Sequence, residues 1–149
     1  MRPVRIVLAA LVVVVMGIAV VGLGMGDAPK SEEPAPTQAQ LTASKSRIAR
    51  GGEQVQMGKA EFESEGCASC HAIAADGRKG VLGPRLDTDK DPAEEILGSI
   101  TEPRADIVKG YEANLMPADY GKRMSPKELD SVVAYIKAAS GKEKAGGGG

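Results

Sequence analysis

Cys67-Ala68-Ser69-Cys70-His71 gathers into five positions both cysteines and the only histidine of a 149-residue chain. Two cysteines cannot build a multi-disulfide framework, and one histidine rules out a multi-histidine metal site. A thioredoxin-like dithiol calls for a neighbouring βαβ pattern, which the sequence lacks. A zinc site would need a fourth ligand, such as a carboxylate, and lacks the usual second ligand pair. A plain disulfide would leave the adjacent histidine without a role. The spacing C-x-x-C-H is that of covalent c-type haem attachment. Two thiols three positions apart on a helical turn reach the two vinyl groups of one porphyrin as thioethers. The next imidazole then comes up under the iron as an axial ligand.

The surrounding sequence, residues 53–141, reads as one small helical domain. Gln54 to Glu65 places Val55, Gly58 and Phe62 on a narrow face at helical spacing. Asp91-Pro92-Ala93-Glu94 predicts a helix with Asp91 as N-cap, carrying Ile96, Leu97 and Ile100 and limited by Pro103. Residues 104–109 offer a further short turn of helix. Ser125-Pro126-Lys127-Glu128 combines a capping box with proline at the first helical position. The helix it opens carries Leu129, Val132, Val133 and Ile136, and Gly141 closes it. Residues 77–90 and 110–124 read as loops. The fold class is therefore all-α with long loops. Leu, Ile, Val and Phe supply only 16 of these 89 residues, too thin a core to be comfortable alone. A large apolar cofactor at the centre would remedy that.

Charge and hydropathy divide the rest of the chain. The net charge of −1 argues against nucleic-acid binding, which needs a basic face. Residues 53–141 hold 11 Lys and Arg against 16 Asp and Glu, a net −5, while the preceding 52 residues carry +3. Ile6 to Leu23 contains no charge, and extended to Met25 the run is 20 residues long. As a helix it would span about 30 Å, the thickness of a bilayer core. Residues 1–26 are read as a membrane anchor, with a cleaved signal peptide as the alternative. The apolar run exceeds the roughly 7–15 residues of a signal sequence. Arg2 and Arg5 precede the run and Asp27, Glu32 and Glu33 follow it, which puts the N-terminus in the cytoplasm and the domain across the membrane. Residues 27–52, rich in Pro, Ala and Ser, read as a flexible linker. Within it, Gln38 to Arg50 could be a short helix, with only Leu41 and Ile48 large and apolar. Residues 142–149, ending in four glycines, read as a disordered tail.

The segment Gly58 to His71 (GKAEFESEGCASCH), the pairs Gly83-Pro84 and Met116-Pro117, and the last helix (SPKELDSVVAYIKAAS) together resemble the class I cytochromes c. The stretch Ile96 to Pro117 is most similar to the cytochrome c domains associated with haem–copper oxidases. The chain has no second cysteine pair with flanking histidine, and so no binuclear copper site. The resemblance implies a class I fold wrapped around one covalent haem c held through Cys67 and Cys70. It implies His71 and Met116 as the iron ligands, with Met124 and Met57 as rival sulfur donors. Pro84 matches the proline whose carbonyl accepts from the axial histidine, against the plainer reading of a Gly-Pro turn. Arg85 is a candidate partner for a haem propionate, as are Tyr111 and Tyr120. Gly58 and Phe62 match the contact of the first helix with the last, near Val133 and Tyr135. Arg78, Lys79, Arg85, Lys109, Lys122 and Arg123 are read as a basic rim around the haem edge, or else as scattered surface charge.

The function implied is that of an electron carrier and not an enzyme, with no small-molecule substrate. It would be anchored in a bacterial cell membrane by a single pass, its haem domain on the periplasmic side. The resemblance implies a quinol-oxidising complex as electron donor and a terminal oxidase as acceptor. Two alternatives stand beside it: a fixed haem c subunit of a larger membrane oxidoreductase, and a haem-based sensor with a labile sixth ligand.

Overall fold

The computed structural model describes residues 34–141. The apolar run 6–25 and the tail 142–149 lie outside them. Five α-helices follow in order: α1 Gln38–Arg50, α2 Gly52–Ser64, α3 Ala93–Thr101, α4 Tyr120–Arg123 and α5 Pro126–Ser140. A two-residue antiparallel ladder pairs β1 Ala72–Ile73 with β2 Arg78–Lys79, in register Ala72 to Lys79 and Ile73 to Arg78. The helical class is as expected; this small ladder was not foreseen. Among the described residues no helix is long and apolar enough to cross a membrane.

The centre of the fold is the crossing of α2 and α5. Gly58 sits against the backbone of Ser131 and Val132, where any β-carbon would collide. Phe62 and Tyr135 meet edge to face with ring centroids 5.4 Å apart, a favoured aromatic arrangement. Both are fully buried. Helix α5 begins as its sequence predicts. Ser125 Oγ accepts from the Glu128 amide at 3.4 Å, and the Glu128 carboxylate accepts from the Ser125 amide at 2.6 Å. Gly141 ends the helix in the left-handed conformation. Helix α3 packs Ile96 and Ile100 into the same core. Its start differs by one residue from the expectation: Pro92, not Asp91, is the N-cap, and no side chain caps it. Residues 104–109 form turns, not a helix. Residues 120–123 form α4 inside the stretch read as a loop.

The larger correction concerns the linker. Residues 38–50, read as part of a flexible stretch, form α1 and join the folded unit. Thr37 and Gln40 make a complete capping box at its start. Ile48 and Ser44 are buried, and Leu41 packs against the core. Ser44 Oγ donates to the Ala139 carbonyl at 2.6 Å, and Arg47 Nε donates to the Ala138 carbonyl at 2.9 Å. These are carbonyls of the last turn of α5, which a helix leaves without internal donors. The Arg47 charge also opposes the helix dipole there. Thr37-x-x-Gln40 followed by Leu41, Ser44 and Ile48 at i, i+3 and i+7 was the readable signal. It was masked by the low apolar content, because α1 is held by polar contacts as much as by apolar ones.

Candidate functional site

Helix α2 ends at Ser64, and Gly66 follows at φ 78°. That left-handed conformation, easy for glycine, turns the chain sharply into a 3₁₀ turn at Cys67–Ser69. Within the turn, the amides of Cys70 and His71 both donate to the Cys67 carbonyl, at 3.2 and 2.9 Å. The turn therefore carries both thiols and the imidazole as one local unit. No disulfide joins the cysteines. Burial pushes the Cys67 thiol up to about 11, so it stays protonated at neutral pH. Reactive redox cysteines show the opposite shift, which counts against a dithiol oxidoreductase. Among the described residues no group of three or more His, Cys, Asp or Glu is placed to hold a metal ion between them, which leaves the zinc alternative without its extra ligand.

The imidazole is fixed from two sides. His71 Nδ1 lies 2.8 Å from the Pro84 carbonyl oxygen, which requires the ring to donate from Nδ1 and leaves Nε2 as the electron-pair donor. Gly83 lies against the ring: a β-carbon there would stand 2.6 Å from His71 Cε1. Burial lowers the imidazole's proton affinity below its ordinary value, opposed by the Pro84 hydrogen bond. A neutral ring with a free Nε2 is the form that ligates iron.

Cys67, Cys70, His71 and Met116 all line one cavity of about 420 Å³, within the usual range of about 300–1,000 Å³ for ligand sites. Its walls are largely apolar, with Phe62, Leu86, Ile96, Ile100, Val132 and Ile136 among them. Two thiols, an imidazole and a thioether around an apolar void fit a porphyrin: soft sulfur and nitrogen for the iron, hydrocarbon for the ring. Of the rival sulfur donors, Met57 lies outside this cavity, and its sulfur accepts from Ser131 Oγ at 3.5 Å. Met124 lines the cavity but is packed into the core, 6% exposed. It precedes Ser125, the cap of α5, and does not begin the helix itself.

Three expectations change here. Arg85 does not line the cavity; its guanidinium is engaged by Asp87, with Nη2 3.0 Å from both carboxylate oxygens. Tyr120 lines the cavity, but its hydroxyl donates to the Glu65 carbonyl at 3.2 Å, and Arg123 lies over its ring. Tyr111 remains half-buried on the cavity wall. Nor do the six expected cations gather on the cavity wall. Arg78 pairs with Glu63 and Asp76, Arg85 with Asp87, and Arg123 with Glu65 and Asp119. Of the six expected cations only Arg123 lines the cavity, beside Glu65, Asp89, Asp91, Asp106 and Glu112. The sequence could not reveal this, because each arginine's partner is chosen by the fold.

No curated protein and no solved structure matches the chain. Residues 53–136, more than half of the chain, do match one family, described as cytochrome c oxidase, cbb3-type, subunit III. The match spans all but the first residue of α2, the Cys67–His71 turn, Met116 and most of α5, so the cavity and its lining fall inside it. The chain belongs to this cbb3-type oxidase subunit III family, a class I cytochrome c domain of the kind associated with haem–copper oxidases, whose members carry haem c and transfer electrons.

Proposed function

We propose that the chain holds one haem c, covalently through Cys67 and Cys70, with His71 and Met116 as axial ligands, and passes single electrons toward a terminal oxidase. The observation that carries this reading is that these four side chains line a single apolar cavity, with His71 Nδ1 bound to the Pro84 carbonyl. Haem c supplies a one-electron iron couple when bound. The residues supply the rest. His71 and Met116 would hold the iron between an imidazole nitrogen and a thioether sulfur, which would leave no coordination site for a substrate. The soft thioether favours the reduced metal and raises the potential relative to two nitrogen ligands. The apolar wall excludes water and limits reorganisation. With the iron so held, the chain would exchange electrons with partners without binding a substrate at the metal, in brief encounters of small contact area.

The apolar run 6–25 supports an anchored arrangement, with the N-terminus cytoplasmic and the haem domain on the periplasmic side. A quinol-oxidising complex is the proposed donor. A second reading, a fixed haem subunit within an oxidase, is favoured by the family description itself. Stoichiometric co-purification with large oxidase subunits after mild detergent extraction selects that reading. Recovery of the chain alone selects the mobile carrier. The haem assignment is tested by acid–acetone extraction of protein matured in a host competent for c-type attachment. Pigment retained on the polypeptide is expected; pigment wholly in the solvent means no thioether bonds. Carbon monoxide binding to the reduced, unmutated protein at neutral pH would overturn the Met116 assignment in favour of a labile sixth site.

A further inference from the structure

We propose that Arg85 and Asp87 are positioning residues for the axial histidine: their ion pair holds the Pro84 carbonyl on His71 Nδ1 and so helps set the reduction potential. This rests on the reading of His71 as an iron ligand. The Pro84 carbonyl belongs to the Pro84–Arg85 peptide, so whatever fixes Arg85 aims that oxygen. Two short segments, 70–74 and 83–87, are joined along their length. The Gly83 amide donates to the Cys70 carbonyl at 2.9 Å, and the Leu86 amide donates to the Ala72 carbonyl at 3.0 Å. At the far end the Ala74 amide donates to Asp87 Oδ2 at 2.9 Å. Arg85 closes the bend, with Nε 3.2 Å and Nη2 3.0 Å from Asp87 Oδ1, and Nη2 3.0 Å from Oδ2.

The Asp87 side chain is 3% exposed and that of Arg85 16%. A carboxylate so deeply buried persists only when paired and hydrogen-bonded, and here both oxygens are used. The two charges cancel, so the pair acts on the site through position more than through its field. A forked guanidinium suits this role, whereas a lysine ammonium cannot reproduce the fork. A well-aimed carbonyl makes the imidazole a stronger donor, which favours ferric iron and lowers the potential. Loosening the pair weakens that hydrogen bond and raises the potential.

Arg85→Lys keeps the net charge and removes the fork. In the full-length haem-loaded chain it is expected to shift the midpoint potential upward and to speed solvent exchange of the His71 Nδ1 proton, followed by NMR. Arg85→Gln provides the sign test and a second variant should the lysine form fail to fold. Loss of one positive charge alone would lower the potential, whereas loss of positioning raises it. An unchanged potential in Arg85→Lys, an upward shift without faster proton exchange, or a downward shift in Arg85→Gln overturns the proposal. The ligand reading fails separately, if no His71 ring resonance of the unmutated ferric protein is shifted by the iron.

Discussion

Met116 illustrates how much one side chain decides. It sits in a loop, partly buried, on the wall that also carries the two thiols and the imidazole. Met116→Ala is expected to leave the haem attached, lower the reduction potential and let carbon monoxide bind the reduced iron. Optical titration checks all three, and the same behaviour from Met124→Ala instead would reassign the ligand. At this scale the gathering of Cys67, Cys70 and His71 into one turn was legible, because C-x-x-C-H is contiguous in the chain. The Pro84 acceptor was legible only through resemblance. Arg85 was not, because its carboxylate partner is two residues away and meets it only once the chain bends after Pro84.

Elements carry the next layer. Gly58 lets α2 approach α5 at backbone distance, and the obstruction to a side chain there is the Ser131 carbonyl, which cannot swing aside. Gly58→Ala is therefore expected to destabilise the fold by about 1–3 kcal/mol, the usual cost of overpacking, measured by denaturant unfolding. The start of α5 is sensitive to pH. The Ser125 amide and hydroxyl hold the Glu128 carboxyl below its ordinary value of 4.5. A lowered folded-state value means the unfolded chain binds the proton first. The capping contribution is thus complete above the ordinary value and is lost as the pH falls through the lowered one. Glu128→Gln should flatten that part of the stability–pH curve below about pH 4.5, with a small loss of stability at neutral pH that vanishes in acid, where the protonated glutamate resembles glutamine. Ser125-Pro126-Lys127-Glu128 announced α5 because capping boxes are local. Helix α1 was legible as a possible short helix over Gln38 to Arg50, but not as part of the folded unit, because half of what holds it there, the bonds from Ser44 and Arg47, ends on carbonyls more than ninety residues away.

For the whole molecule the sign of the charge around the cavity matters most. The lining carries Glu65, Asp89, Asp91, Asp106 and Glu112 against Arg123 alone. Electron exchange with a small cationic redox reagent should slow as salt is added, and exchange with an anionic one should quicken. Most of the change should come below about 0.15 M, where the screening length falls to about 8 Å; stopped-flow rates at graded ionic strength decide it, and the opposite signs would restore a basic rim. Net charge over residues 53–141 was readable from sequence, but its distribution was not, since pairing removes most of the arginines from the cavity edge. The seam between α1 and α5 has a mechanical side as well. A pull arriving from the N-terminal direction meets the Ser44 and Arg47 bonds, and the buried Ile48, before it reaches α2. Strain would therefore load the thirteen residues of α1 and their bonds to the end of α5 before it reached the helix that feeds the Cys67 turn.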